Sequence, residues 1–339
     1  MKAYEIGPQT GLDSLTAVTC PEPVAGPGEA VIKVLEVCLN HRDLLVLEGR
    51  YGALRPATRV PVSEGVGEVI AIGPGVSGVK PGDRVVAPHF VTWLDGDFSP
   101  AAFGSDYGIT HDGWLAEQIV MPAAALIVLP DTVSTRQAAP LASSALTAWH
   151  ALVEVGGIKA GDLVLALGTG GVSIFALQIA KLCGARVAIT SSSDAKLAQA
   201  RALGADITIN YAKTPDWAAA LAAANNGKGA DIIVETGGQG TLSQSINAAA
   251  PNARIVIIGA LAGPTGSGLP NYGAIIGKNL TLRGIAEGSR AMLARLVGAI
   301  AANGLEPVID RVFDFDDAPA AYRYLKSGAH LGKVLITRD

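Results

Sequence analysis

Residues 161–196, GDLVLALGTGGVSIFALQIAKLCGARVAITSSSDAK, decide the fold of this chain. The apolar run LVLAL has the composition of a buried strand, and the residues after GTGG place apolar side chains at helical spacing. ARVAIT then indicates a second strand. A strand, a helix and a strand in this order form a right-handed crossover between parallel strands. The stretch therefore predicts a parallel sheet with helices on both faces.

The rest of the chain contains further strands of the parallel sheet, a β-rich N-terminal part and a C-terminal segment. DITINY, ADIIVET and ARIVIIGAL predict further parallel strands, whereas the N-terminal part has short apolar runs broken by glycine and proline, which are typical of a β-rich domain. We expect an α/β chain with a β-rich domain in residues 1–124 and a doubly wound parallel-sheet domain in residues 125–278. Residues 279–339 would complete the sheet edge and the β-rich domain.

The composition excludes several classes of protein. Hydrophobic residues make up 49% of the 339 residues and charged residues 17%, which argues against disorder. The net charge is −4 and no basic block is present, so we expect no nucleic-acid partner. The uncharged residues 163–180 contain GTGG and are expected to form a strand, a turn and a helix rather than a membrane span. The N-terminus lacks the apolar core of a signal peptide, which predicts a cytoplasmic protein.

A glycine-rich loop, Gly168-Thr169-Gly170-Gly171-Val172, follows the first strand of the parallel-sheet domain and opens its first helix. Glycines let the backbone turn sharply and approach a pyrophosphate, while the helix N-terminus offers free amides and a positive dipole. The loop therefore predicts a dinucleotide site. A glycine-rich turn without a ligand is the alternative.

The end of the second strand indicates which dinucleotide binds. NAD-binding domains commonly place an acidic residue there to bind the ribose hydroxyls, but this chain has Ser191. Small hydroxyls with a nearby cation accept a 2′-phosphate, and Ser191, Ser192 and Lys196 supply that set, with Tyr211 just past the third strand. We therefore expect NADPH in preference to NADH.

The order of motifs is specific: CLNHRD, VPVSEGVGEVIAIG, VKPGDRVV, DGWLAEQIVMP, LASSALTAWHAL and GTGGVSIFALQIAK. Over essentially its whole length the chain resembles the medium-chain dehydrogenase/reductase superfamily, and it is most similar to the zinc-free branch of quinone-oxidoreductase-like and zinc-independent alcohol dehydrogenase-like proteins. The resemblance implies a GroES-like catalytic domain, a Rossmann domain and an active site in the cleft between them. It also implies a homodimer formed through the edge strand NLTLRGI.

The resemblance shows which residues of this chain stand at the positions of the zinc ligands in zinc-dependent members. The ligand positions of zinc-dependent members fall on Asn40, on Ser63 of the Val-Ser-Glu segment 62–64, and on Ser143. Zinc prefers thiolate, imidazole and carboxylate, so we expect no zinc. Cys38 is offset from Asn40 by two residues and is expected to be a buried packing residue. A shifted metal site around Cys38 is the alternative.

Three residues are candidates for catalysis in the absence of metal. Asn40 and Tyr51 are neutral donors that the resemblance places near the nicotinamide and the substrate. Glu64 matches the acid beside the metal in relatives. Without metal it would contact substrate or an arginine, or be a buried and paired carboxylate. For Tyr51 the alternative is a half-buried loop aromatic.

Other residues are expected to contact the cofactor. The resemblance places His41 at the pyrophosphate. It matches Arg42 to the position of a proton-relay hydroxyl, so the relay is broken and Arg42 is expected to contact the cofactor instead. Thr147 is expected near the nicotinamide unless it only packs the helix. Gly259 and His330 complete the predicted cofactor site. For His330 an exposed turn position is an equal alternative.

Aromatic residues in a long loop predict the substrate pocket. Trp93, Phe98 and Tyr107 come from the segment HFVTWLDGDFSPAAFGSDYG, and Leu261 and Tyr272 would join them from the other domain. The alternative is that the loop aromatics pack a small subcore of their own.

The lost zinc ligands limit the chemistry. Without a strong electrophile, activated acceptors such as quinones and enones are favoured over simple ketones. We therefore expect an NADPH-dependent, zinc-independent oxidoreductase that reduces a small-molecule quinone, enone or similar carbonyl. A zinc-free alcohol or aldehyde dehydrogenase and a non-catalytic NADPH-binding protein are the two alternatives.

Overall fold

The computed structural model describes residues 1–51, 58–259 and 270–338. Within these residues the strands are, in chain order, β1 (Lys2–Ile6), β2 (Leu15–Thr19), β3 (Glu29–Leu39), β4 (Glu64–Ile72), β5 (Arg84–Val86), β6 (Gln118–Pro122), β7 (Ile127–Val128), β8 (Leu163–Ala166), β9 (Arg186–Ser191), β10 (Ile207–Asn210), β11 (Ala230–Glu235), β12 (Ala249–Ile257), β13 (Thr281–Gly284), β14 (Ile309–Asp314) and β15 (Lys333–Thr337).

The helices lie mainly in the second half of the chain. They are α1 (His41–Leu47), α2 (Thr135–Ala138), α3 (Leu146–Trp149), α4 (Gly171–Leu182), α5 (Asp194–Ala202), α6 (Trp217–Ala224), α7 (Leu242–Ala248), α8 (Tyr272–Gly277), α9 (Arg290–Asn303) and α10 (Ala318–Ser327). Two π-helical turns, Leu141–Ala145 and His150–Val155, flank α3. Across the described ranges of the chain, none of the helices is long and apolar enough to cross a bilayer.

The chain divides into two compact units. The first is Met1–Leu146 together with Gly288–Asp339, and the second is Thr147–Glu287. The first unit thus extends beyond the expected end at residue 124, because β7 pairs with β5 inside its sheet. The second unit extends beyond residue 278, because β13 pairs with β12.

The second unit is built on a parallel sheet with the strand order β10-β9-β8-β11-β12-β13. In order of appearance within this unit the strands read 3-2-1-4-5-6, which is the Rossmann arrangement. Central strand β8 is buried along its whole length, as expected for a strand covered on both faces. The predicted fold class, a Rossmann domain combined with a GroES-like domain, is confirmed.

The first unit has a mainly antiparallel sheet in which β3 is the longest strand. The order is β14-β15-β3-β4-β5-β7, and β6 pairs with the other end of β3. Strand β3 runs antiparallel to both β4 and β15, with Cys38 opposite both Glu64 and Leu335. The carboxyl end of β3 therefore lies between the amino ends of β4 and β15, and three distant parts of the chain meet there.

Candidate active site

A buried polar network occupies the point where β3, β4 and β15 meet. Asn40 follows β3, Glu64 begins β4 and Lys333 begins β15, while Ser143 and Ser144 come from the π-helical turn before α3. All five residues belong to the first unit and all are buried. Asn40 and Glu64 were predicted from the sequence to be catalytic. Lys333 and Ser144 were not.

The Lys333 ammonium lies at the centre of this network. Its Nζ donates to Asn40 Oδ1 at 2.6 Å, to Glu64 Oε1 at 3.0 Å and to Ser144 Oγ at 3.0 Å. The Asn40 amide donates to Glu64 Oε1 at 2.7 Å, and the Ser144 hydroxyl donates to Asn40 Oδ1 at 2.8 Å. The Ser143 backbone N–H donates to Glu64 Oε2 at 2.7 Å. Both oxygens of the buried carboxylate thus accept hydrogen bonds.

The charges in the network are almost completely removed from water. The Lys333 side chain is 3% exposed and the Glu64 side chain is 0% exposed. Burial lowers the pKa of the Lys333 ammonium, but the negative charges that Cys38 and Glu64 can carry outweigh burial, and the pKa is raised above its usual value. Burial raises the pKa of the Cys38 thiol well above its usual value. The Lys333 Nζ and Glu64 Oε1, 3.0 Å apart, have the geometry of a buried ion pair.

The Asn40 amide already has partners for its donors. It donates to Glu64 and, at 3.4 Å, to the Cys38 carbonyl oxygen. Direct donation from Asn40 to a substrate would require one of these bonds to break. The role of Asn40 as a donor to substrate stays a prediction, and the geometry adds that Asn40 connects the lysine, the glutamate and the serine.

Asp43 holds the loop between β3 and α1. Its Oδ2 accepts from the Asn40 backbone N–H at 2.7 Å, and its Oδ1 accepts from the Ser63 N–H at 3.3 Å and hydroxyl at 3.2 Å. Burial raises the pKa of Asp43 to about 6. These bonds fix the backbone at Asn40 and direct the Ser63 hydroxyl toward Asp43.

Arg42 forms a buried ion pair that the sequence did not reveal. Its Nη2 donates to both carboxylate oxygens of Asp106, at 2.7 and 2.8 Å, and its guanidinium lies 5.0 Å from the centre of the half-buried Tyr51 ring. The positive charge expected near the cofactor is thus balanced inside the first unit. A cofactor role for Arg42 and a catalytic role for Tyr51 stay predictions.

The aromatic residues of the 89–111 segment pack against one another. The Trp93 and Phe98 rings meet edge to face at 5.1 Å, and Phe98 contacts Phe103 at 5.4 Å. Tyr107 is buried and donates from its hydroxyl to the Val120 carbonyl oxygen at 3.1 Å. These contacts are those of the alternative, a local subcore. Pocket roles for Trp93, Phe98 and Tyr107 stay predictions.

The remaining predicted pocket and cofactor residues differ in exposure. His41 and Tyr272 are exposed, Thr147 is buried on α3 and His330 is half-buried. At Gly259 a Cβ atom would lie 2.7 Å from the Thr236 carbonyl oxygen, so the close backbone approach requires glycine. Leu261 lies outside the described residues. The proposed functions of this set also stay predictions.

In the second unit the glycine-rich loop has the geometry of a phosphate cradle. Gly168 has φ +77°, which favours glycine, and a Cβ atom at Gly170 would meet nothing within 4 Å. Gly171 begins the 12-residue helix α4, and the first amides of a helix have no acceptor within the helix. Ser173, at the third glycine position, donates to the Leu167 carbonyl oxygen at 2.6 Å, so its hydroxyl stays inside the fold. The loop fits a pyrophosphate.

The end of β9 is arranged around Ser191. Its hydroxyl accepts from the Ser193 N–H at 3.2 Å, and Ser193 accepts from the Lys196 N–H, which makes Ser193 the N-cap of α5. Asp194 is the first residue of α5 and pairs with Lys213. Ser192 and Tyr211 are exposed at the ends of their strands.

Comparison with known proteins identifies the family. Residues 26–131 match the alcohol dehydrogenase GroES-like domain, and residues 171–302 match the zinc-binding dehydrogenase domain. A zinc-type alcohol dehydrogenase-like protein of Schizosaccharomyces pombe is 42% identical over 317 residues, which are 92% of this chain and 92% of that protein. The chain belongs to the medium-chain dehydrogenase/reductase superfamily. The predicted membership and the prediction of an enzyme are confirmed.

Other members of the superfamily show the range of chemistry among relatives. An acryloyl-coenzyme A reductase of Metallosphaera sedula is 29% identical over 328 residues, covering 93% of this chain and 94% of that protein. The solved structure of an NAD-dependent alcohol dehydrogenase has a TM-score of 0.89 and 32% identity over 100% of both chains. A mycobacterial protein solved in complex with NADPH has a TM-score of 0.82 and 25% identity over 99% of both chains. A nicotinamide cofactor is thus supported for this chain.

Zinc is implied by the name of one matched domain, but the residues at its positions do not fit the metal. Asn40 Oδ1 accepts from the Lys333 ammonium, Ser63 faces Asp43, and Ser143 offers a hydroxyl in place of a soft ligand. An ammonium among these oxygens would also repel a dication. The part of the chain that the structure describes contains no group of three or more His, Cys, Asp or Glu residues able to hold a metal ion.

The open space at Gly170 leads to a prediction about cofactor binding. We expect Gly170→Ala to weaken binding of NADPH at least about tenfold, about 1.4 kcal/mol, because its methyl group would project into the space for the pyrophosphate. The fold should tolerate alanine, since the backbone at Gly170 is extended with φ −77° and no atom lies within 4 Å of the new Cβ. Fluorescence titration with NADPH measures the affinity.

The matched control is Gly298→Ala on α9, where a Cβ atom also meets nothing within 4 Å. It should raise the thermal midpoint slightly, because alanine is favoured over glycine in an exposed helix interior, and it should leave the NADPH affinity near the parent value. Unchanged affinity in Gly170→Ala would show that the pyrophosphate does not contact this loop.

Proposed function

We propose that this chain is an NADPH-dependent, metal-free reductase of quinones, enones or similarly activated carbonyls. The observation that carries the proposal is the Lys333 ammonium, which bonds Asn40 and Glu64 at positions where zinc-dependent relatives build a metal site. The acryloyl-coenzyme A reductase among the relatives supports an activated acceptor, since its name specifies a carbonyl conjugated with a double bond.

The energetics of the product anion explain why the acceptor should be activated. Reduction of a simple ketone forms a localised alkoxide, whereas reduction of a quinone or an enone forms a delocalised anion whose conjugate acid has a pKa lower by roughly 5 to 6 units. At about 1.4 kcal/mol per pKa unit, the site is spared about 7 to 8 kcal/mol of charge stabilisation. Hydrogen-bond donors contribute a few kcal/mol, which suffices for the smaller requirement.

The residues divide the work between binding and charge stabilisation. The reduced nicotinamide supplies the hydride when it is bound. The glycine loop at the start of α4 holds the pyrophosphate, and Ser191 with Lys196 contacts the ribose 2′-phosphate. The hydrogen bonds of Asp43 fix the backbone at Asn40, and the polar network around Lys333 presents donors to the acceptor oxygen.

The decisive experiment combines metal analysis with an acceptor panel. We expect the purified protein to contain far less than one zinc per chain and to reduce a quinone with NADPH at the same rate before and after dialysis against a chelator. A stoichiometric zinc whose removal abolishes turnover contradicts the proposal. Tight NADPH binding without reduction of any quinone, enone or aldehyde would instead support a non-catalytic role.

A zinc-free alcohol dehydrogenase is the second candidate. The Schizosaccharomyces pombe relative is named a zinc-type alcohol dehydrogenase-like protein and the NAD-dependent structure an alcohol dehydrogenase, which favours alcohol chemistry. The ratio of kcat/KM for a quinone with NADPH to that for a benzylic alcohol with NADP⁺ separates the two. Preference for the alcohol would favour the second candidate.

The preference for NADPH rests on Ser191 and Lys196, and the NADPH-bound mycobacterial relative supports it. We expect Ser191→Asp to reverse the preference. A carboxylate within roughly 5 Å of the 2′-phosphate costs about 3 kcal/mol at an effective dielectric constant near 20, whereas NADH gains an acceptor for its ribose hydroxyl. The introduced carboxylate can still accept from the Ser193 N–H, so the local turn should persist.

The measurement is the ratio of dissociation constants for NADPH and NADH. Gln199→Glu, which adds a negative charge on the exposed side of α5, is the control and should leave this ratio unchanged. A ratio in Ser191→Asp equal to that of the parent would place the 2′-phosphate elsewhere.

The location of the protein in the cytoplasm stays a prediction. The predicted partner is a second copy of the chain. Strand β13 is at the edge of the parallel sheet, and the short helix α8 before it leaves Tyr272 63% and Ile276 79% exposed. An open edge strand and exposed apolar side chains on one segment favour strand-to-strand pairing.

We expect sedimentation velocity to give twice the 34.5 kDa chain mass, and Ile276→Asp to shift the protein toward the monomer. The control is Val24→Asp, an equally exposed apolar position in the first unit. A monomeric parent protein at micromolar concentration would contradict the dimer.

A further inference from the structure

The oxygens around Lys333 form a complete binding site for an ammonium group. A protonated amine has three N–H donors, and the three acceptors present are an amide oxygen, a carboxylate oxygen and a hydroxyl oxygen, from Asn40, Glu64 and Ser144. The three distances lie between 2.6 and 3.0 Å. Each donor therefore has its own partner, and the unusual feature is that the cation is tethered to the chain.

Stability alone does not account for such a site. A buried ion pair contributes little compared with apolar residues of the same volume, because removing both charges from water is costly. The chain also has a demanding turn just before the lysine: Gly332 has φ +76°, and a Cβ atom there would lie 2.4 Å from the Val308 carbonyl oxygen. The backbone is thus shaped to deliver Lys333 into the network.

Within the network, the Ser144 hydroxyl is the donor that can most easily turn to a ligand. It now donates to Asn40 Oδ1, but that oxygen also accepts from Lys333, so a rotation of the O–H bond leaves Asn40 Oδ1 paired. Ser144 Oγ continues to accept from the ammonium at 3.0 Å, and this bond strengthens its O–H as a donor.

We propose that Lys333 is a tethered cation that replaces the charge of a catalytic metal and acts through Ser144, whose hydroxyl donates a hydrogen bond to the oxygen of the acceptor. The inference rests on the proposed function. Lys333 is accordingly a positioning and polarising residue, and Ser144 is the catalytic residue that contacts the substrate.

The reaction balances with the groups already named. The acceptor carbon gains a hydride from NADPH, and the π electron pair moves to the carbonyl oxygen of the quinone or enone. The Ser144 O–H bond and the Lys333 N–H bonds remain intact and stabilise the anion by hydrogen bonding alone. Water then supplies the proton that completes the product, and NADP⁺ is released.

The first experiment separates the charge of Lys333 from its packing. The double variant Lys333→Met/Glu64→Gln removes both charges of the pair and avoids an isolated buried carboxylate. We expect it to fold and to bind NADPH like the parent, but to lose about 100-fold in kcat for quinone reduction, the usual cost of one donor to a developing anion. Lys333→Arg, which keeps the charge, should retain more activity. A double variant within about threefold of the parent kcat would make Lys333 purely structural and overturn the inference.

The second experiment tests whether the lysine acts through the serine. Ser144→Ala should also reduce kcat strongly while leaving the NADPH affinity unchanged. In the Ser144→Ala background, the further loss caused by Lys333→Met/Glu64→Gln should shrink to less than about fivefold, because coupled residues are not additive. Fully multiplicative losses would show that the two residues act independently and would overturn the proposed route.

A third measurement does not depend on activity. Lys333→Ala leaves the three oxygens without their cation, so millimolar methylammonium should raise the thermal midpoint of this variant and not that of the parent. Tetramethylammonium, which has no N–H donor, should have no effect. A parent protein that binds NADPH but reduces no acceptor would overturn the proposed function. The absence of stabilisation by methylammonium in a folded Lys333→Ala would overturn the cation site.

Discussion

The buried ion pair between Lys333 and Glu64 sets the character of the first unit at the meeting point of β3, β4 and β15. The Glu64 carboxylate is fully buried and needs a cation or a proton to be tolerated. The antiparallel pairing of β15 with β3 brings a lysine from the C-terminal region to within 3.0 Å of it. Asn40 and Ser144 are then held by the same ammonium, so the orientation of each polar side chain depends on the pair.

The second unit depends on a different constraint, the space left by missing side chains. Gly168 permits a backbone turn that other residues adopt at a cost, and Gly170 keeps the approach to the first turn of α4 open. Two hydroxyls near this loop form hydrogen bonds within the fold. The Ser173 hydroxyl donates to the Leu167 carbonyl oxygen, and the Thr190 hydroxyl accepts from the Gly168 N–H. The first unit thus fixes charges by pairing them, whereas the second presents backbone amides beside empty space.

Much of the fold could be predicted from the sequence because its signals are local. The run of strands and helices from residue 161 onward, with glycine at the first crossover, determines a Rossmann sheet through periodicity and handedness. The motifs around Asn40 and Glu64 place both residues at the metal-site positions of relatives, and a buried, paired Glu64 was one of the alternatives. The prediction that Glu64 could be a buried and paired carboxylate is supported by the structure.

The partner of Glu64 could not be predicted in the same way. Lys333 lies 269 residues away, at the start of a strand in the motif HLGKVLI, where a lysine is ordinarily exposed. Its burial follows from strand pairing, which the local sequence does not encode. Arg42 shows the same difficulty: its charge was expected near the cofactor, but Asp106 neutralises it through a contact 64 residues away. A charged residue in a buried position can be predicted to need a partner of opposite charge, but which residue is the partner depends on the strand pairing of the folded chain.

Replacing a metal by a tethered ammonium changes what a site can do. A metal dication binds the acceptor oxygen directly and makes a bound alcohol far more acidic, whereas one ammonium shared among three oxygens can only strengthen hydrogen bonds. The weaker charge has a compensating advantage. Unlike a bound metal ion, the lysine ammonium cannot dissociate from the chain or be exchanged for a different metal. Membership in a zinc-named family therefore describes the scaffold, and the donors at the site describe the chemistry. In the function proposed for this chain, those donors serve an acceptor that delocalises its own negative charge.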